Sequence, residues 1–90
     1  MNKKQRYGTF YIRRQMLEQA KTDSEVRATI SDIFSKCIIV RAELMFATDE
    51  VEYRAYSDAF DEIDIHEVAP KYEWLITLHG GPLVARRVKE

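Results

Sequence analysis

Ninety residues, 46% hydrophobic and 32% charged, leave room for one domain with one core and exclude a disordered or collagen-like chain. Fourteen Lys and Arg nearly balance fifteen Asp and Glu, for a net charge of −1, so overall charge marks neither a nucleic-acid nor a membrane binder. The lone cysteine, Cys37, excludes an intrachain disulfide and fits the cytoplasm; the basic stretch Met1 to Arg6 is followed by Arg13 and Arg14 where an export signal would be unbroken and apolar.

Residues 1–8 read as a basic N-terminus with room to be flexible. From Phe10 to Ala20 the apolar residues Phe10, Ile12, Met16, Leu17 and Ala20 fall mostly three and four apart, which predicts a short amphipathic helix. A second helix is announced by Thr22 and Glu25, spaced as in a capping box, and its apolar face would be Val26, Ile30, Ile33, Phe34 and Cys37. After Lys36 the period drops to two. Ile38, Val40, Ala42, Leu44 and Phe46 alternate with Ile39, Arg41, Glu43, Met45 and Ala47, predicting a long strand with one buried face. Thr48, Asp49 and Glu50 break it, and Val51 to Tyr56 return as the second arm of a hairpin. Tyr72 to His79 alternate as a third strand, Gly80 and Gly81 suit a tight turn, Pro82 suits an edge, and Leu83 to Lys89 form a fourth strand. The expected fold is α+β: two N-terminal helices packed on a four-stranded antiparallel meander in two layers. The open sheet face, with Ile39, Met45, Tyr56, Leu75 and Thr77, is apolar enough to suggest a homodimer or partner interface, unless the N-terminal segment or the 58–69 connection covers it.

Charge is segregated along the chain: residues 1–41 carry nine basic and four acidic side chains, residues 42–75 two and ten, residues 76–90 three and one. A near-neutral total thus conceals blocks of opposite sign able to steer partners. No constellation for catalysis stands out. His66 and His79 lie apart, Cys37 sits on an apolar helix face, Gly8, Gly80 and Gly81 form no phosphate-binding loop, and the acids between 58 and 67 lack the glycine and spacing of a calcium loop. No catalytic residue, metal or cofactor is expected.

The acidic connection is the most unusual stretch, with Asp58, Asp61, Glu62, Asp64 and Glu67 threaded by Phe60, Ile63, Ile65 and Val68. Ser57 or Asp58 could cap a short helix on which Phe60 and Ile63 share a face. Either both tuck under the sheet, or Phe60 fills a partner's pocket while the carboxylates of Asp58, Asp61, Glu62, Asp64 and Glu67 supply charge complementarity, with Ile63 beside it. The alternative surface is basic: Lys3, Lys4, Arg6, Arg13 and Arg14, interleaved with Tyr7, Phe10 and Tyr11, could contact nucleic-acid phosphates and stack on bases.

The run Ala69-Pro70-Lys71-Tyr72-Glu73-Trp74-Leu75-Ile76, with a helix leading into antiparallel strands, is similar to the phage-encoded uracil-DNA glycosylase inhibitors, small acidic DNA mimics. The likeness covers the last half of the chain. Those inhibitors are acidic throughout while this chain is near neutral, so no residue roles carry over. What the resemblance implies is a phage or mobile-element accessory protein. The expected function is a non-enzymatic binding protein that inhibits or modulates a larger host or phage protein; a small nucleic-acid binder and a self-assembling subunit are the alternatives.

Overall fold

A computed structural model of the chain describes residues 3–75 and 83–89. The fold is α+β, with two helices and a mixed, mostly antiparallel sheet. Its elements in chain order are β1 (Lys4–Gln5), β2 (Tyr7–Arg13), α1 (Arg14–Gln19), α2 (Ser24–Ser35), β3 (Cys37–Met45), β4 (Glu50–Ser57), β5 (Ile63–Asp64), β6 (Lys71–Leu75) and β7 (Val84–Arg87). Among the described residues five strands form the main sheet in the order β3-β4-β2-β6-β7, and β1 pairs with β5 in a separate two-stranded ribbon.

The sheet is not a meander. β2, expected to begin a helix, is its central strand, antiparallel to β4 and parallel to β6. The physical reason is visible in Tyr7-Gly8-Thr9-Phe10-Tyr11-Ile12, a run rich in aromatic and β-branched residues that suits a pleated surface better than a helix. Its buried face is Gly8, Phe10 and Ile12, at period two. Only the six residues after Arg13 wind into α1, whose Met16 and Leu17 pack against the core. The N-terminal residues from Lys4 onward are therefore paired strand rather than a loose arm.

The helix α2 starts one residue later than the capping-box spacing suggests. Asp23, not Thr22, is the N-cap, and its carboxylate accepts the Glu25 and Val26 amides at 3.0 and 3.2 Å. Ile33 and Phe34 then lie on the sheet, Phe34 edge-on to Tyr53 with centroids 5.2 Å apart. The core beneath is largely aromatic: Phe10 stacks on Tyr53 at 5.2 Å, meets Trp74 edge-on at 5.8 Å, and leads to Phe60 stacked on Tyr72 at 4.3 Å. Gly8 makes room for that last stack, since a Cβ there would sit 2.7 Å from the Tyr72 ring.

The hairpin of β3 and β4 forms as expected, with Asp49 at φ 56° in its turn, a conformation Asp tolerates better than most residues. That turn is tied to the start of α1 by the Arg14 guanidinium, which donates to both Asp49 carboxylate oxygens at 2.8 and 3.0 Å. The expected burial of one face of β3 does not occur. The strand is at the sheet edge, where Ile38 and Val40 are 71% and 55% exposed, and Phe46 falls in the following turn at 88%. β6 and β7 pair antiparallel as expected; the Gly80-Gly81 turn, Pro82 and the end of the third strand lie outside the described residues. No helix among the described residues is long and apolar enough to cross a membrane.

Candidate protein-binding surface

The segment between β4 and β6 contains no helix. Instead of capping one, Ser57 is buried, its hydroxyl donating to the Lys36 carbonyl at 2.7 Å and accepting the Ala59 amide at 3.2 Å, so it ties the end of α2 to a tight turn. Phe60 follows and is 1% exposed; Ile63 is 3% exposed. Both side chains are core. This corrects the expectation of Phe60 as an exposed anchor with Ile63 beside it: an apolar pair among acids in a connection over a small sheet gains more by closing that sheet's aromatic core than by facing water.

The backbone of the segment is fastened on every side. Arg6 donates to the Phe60 carbonyl at 2.7 Å, the Tyr72 hydroxyl accepts the Asp61 amide at 2.8 Å, and the Ser57 amide reaches the Arg6 carbonyl at 3.1 Å. The ribbon of β1 and β5 sets Gln5 opposite Ile63 and Lys4 opposite Asp64, and the Ile65 amide reaches the Lys3 carbonyl at 3.2 Å. With its apolar residues drawn inward, the segment turns Asp58, Asp61, Glu62 and Glu67 outward, all exposed, with Asp64 half-buried. Asp58 also lines a hollow of about 440 Å³ whose apolar wall is Ile38 and Tyr56. Apolar contact beside Asp58 thus comes from Ile38 of β3 and Tyr56 of β4, and sequence reasoning missed Ile38 because it is twenty residues away along the chain.

The basic candidates do not converge. Arg6 and Arg13 stand at opposite ends of β2, about 23 Å apart at the usual rise of a strand. Lys4 faces Asp64 at 3.7 Å, Arg6 faces Glu62 at 3.9 Å, and Arg14 holds Asp49 and Glu18 at 2.8 and 2.9 Å, which leaves Lys3 and Arg13 exposed without an ion pair among the described residues. Phe10 is fully buried and unavailable for base stacking.

The open sheet face is less apolar than the alternation suggested. Tyr7 and Tyr11 of β2 stand beside Glu52, Arg54 and Tyr56 of β4, with Lys71 and Glu73 of β6 beyond. A bulge between Ile39 and Arg41 turns Ile39 toward the helix side, opposite the buried Ala55. Met45, Tyr56 and Leu75 do reach the open face, while Thr77 lies outside the described residues.

Where β2 and β6 diverge past Phe10 and Tyr72, a cleft of about 560 Å³ opens between Ile12, Met16, Ile33 and Trp74. Arg13, Glu50, Lys71 and Glu73 line its rim, and Tyr11 beside them donates to Glu52 at 2.8 Å, a hydrogen bond that, with burial, raises the phenol's pKa. Tyr11 is therefore a neutral donor and not a base. Burial raises the Cys37 thiol as well, against smaller opposing effects of Ser57 and Lys36. His66 is exposed, His79 lies outside the described residues, and among the described residues no three His, Cys, Asp or Glu side chains converge to hold a metal. Compared with protein-family models, curated proteins and solved structures, the chain has no match.

Proposed function

We propose that this chain is a non-enzymatic protein-binding module that presents the 57–67 segment as a preformed acidic surface to a larger, basic partner. The observation that carries this reading is the placement of Phe60: with its ring in the core and its flanking backbone fastened by Arg6 and Tyr72, the segment holds its carboxylates in place before any partner arrives. A surface ordered in advance loses less freedom on binding than a flexible acidic linker. Its carboxylates supply rate and specificity by charge, and Ile38 and Tyr56 beside the hollow supply apolar contact. Such a module would act by occlusion, as an inhibitor or modulator of the protein it covers.

The separation of Arg6 from Arg13, the pairing of Arg14 with Asp49 and Glu18, and the burial of Phe10 favour this reading over nucleic-acid binding. The test is affinity capture from a lysate with the wild-type chain and with Asp58→Lys/Asp61→Lys, whose substituted side chains are exposed and leave the core untouched. The expected result is a stoichiometric protein partner that resists nuclease and is lost in the variant. Capture that vanishes with nuclease, or that the variant retains, overturns the reading.

A further inference from the structure

The edge strand β3 offers a second surface, distinct from the acidic segment though Ile38 borders both, and the sequence along and just past it has an internal symmetry centred on Ala42. Arg41 and Glu43 flank the centre; Ile38, Ile39 and Val40 lie on one side, Leu44, Met45 and Phe46 on the other. Its backbone edge has no neighbouring strand among the described residues. Long, apolar, unpartnered edges of this kind are normally blunted by charge or covered, because they present a row of free amides and carbonyls for pairing.

Within one chain the charges across β3 and β4 are matched badly. The register sets Arg41 opposite Arg54 and Glu43 opposite Glu52, like against like. Each arginine reaches along its own strand instead, Arg41 to Glu43 at 2.8 Å and Arg54 to Glu52 at 3.4 Å. The result is a positive stripe and a negative stripe running side by side to the open edge.

We propose that β3 pairs antiparallel with β3 of a second copy about a two-fold axis at Ala42, joining the two five-stranded sheets into one. In that arrangement Arg41 of each copy faces Glu43 of the other, so each positive stripe continues into a negative one. Val40 of one copy runs beside Leu44 of the other, covering side chains that are 55% and 37% exposed in the isolated chain, and past Val40 the bulge ends the regular register. A parallel pairing in register would instead set Arg41 on Arg41 and Glu43 on Glu43. The isologous geometry is what a two-fold interface requires, with the same patch on both subunits. This interface uses the strand edge and not the open sheet face.

The experiment is sedimentation or light scattering of the purified chain over a concentration series, which needs no other partner and so stands or falls apart from the acidic-surface reading. The wild type is expected to be dimeric. Arg41→Glu alone and Glu43→Arg alone should each weaken the dimer about tenfold or more, while an equimolar mixture of the two variants should form a heterodimer, since every cross-strand pair is then opposite in sign. Circular dichroism checks that both variants remain folded; the positions are exposed and touch no core residue. A wild-type monomer throughout the series, a dimer indifferent to both substitutions, or a mixture that stays monomeric overturns the proposal.

Discussion

Replacing Phe60 by alanine tests whether the acidic segment is anchored through the core. The ring is 1% exposed, stacked on Tyr72 at 4.3 Å and tilted against Trp74 and Phe10 at 5.8 and 6.5 Å, so its removal leaves a cavity bounded by aromatic faces that cannot collapse into it. Phe→Ala at such a site costs about 3–5 kcal/mol. A chain of 90 residues has a total stability of roughly 5–13 kcal/mol, so the variant should lose a large share of it and melt more than about 12 °C lower. Phe60→Leu keeps most of the volume and should cost less than about 1.5 kcal/mol. Urea unfolding followed by circular dichroism measures both, with an unchanged denaturant slope showing that stability alone has changed. A loss below about 1 kcal/mol for the alanine variant would refute the placement of Phe60 in the core and the anchoring built on it.

Removing the cap of α2 distinguishes two neighbouring residues: Asp23→Ala should cost about 0.5–2 kcal/mol and Thr22→Ala much less, both read from urea midpoints. Stability should fall as pH rises past the ordinary tyrosine range near 10. Tyr11, through its hydrogen bond to Glu52, and Tyr53, through burial, have raised pKa values in the fold, so the folded state keeps their protons where the unfolded chain has lost them. Melting temperature against pH, with phenolate absorbance in parallel, checks the direction; a flat alkaline limb would contradict it. Cys37, with its thiol raised by burial, should react with an alkylating reagent at neutral pH far more slowly in the native chain than in denaturant, as mass spectrometry of timed samples would show.

Legibility in the sequence followed the range of the interactions. The hairpin of β3 and β4 and the helix α2 were readable because their signals, a period of two broken by Thr48 to Glu50 and a period of 3.6 after a cap, are local. The central strand was hidden because Phe10 and Ile12 happen to stand at helical spacing from Met16 and Leu17, so a strand running straight into a six-residue helix imitates one longer helix. Its seat between β4 and β6 is a non-local choice that no window of sequence expresses. The one-residue bulge at β3 likewise turned Ile39 away from the face its alternation assigned.

At the candidate site the acids were evident from composition, and that Phe60 and Ile63 act together was evident from spacing. Which way the pair faces was not, because it depends on the Arg6 and Tyr72 hydrogen bonds and on the gap above Gly8, all supplied by residues at least nine positions away. The exposed edge of β3 was missed for a related reason. An apolar alternation predicts one buried face only if the strand stays regular and covered, and here β3 is an edge strand, broken by a bulge, whose residues from Ile38 to Leu44 stay exposed.

Amide hydrogen exchange of the free chain, resolved residue by residue, is the most direct test of a preformed acidic surface. The amides of Ser57, Phe60, Asp61 and Ile65, each hydrogen-bonded, should exchange much more slowly than in an unstructured peptide, before any partner is added. Exchange across residues 57–67 at the unstructured rate would mean that the carboxylates belong to a mobile linker, and the proposed mode of binding would fail with it.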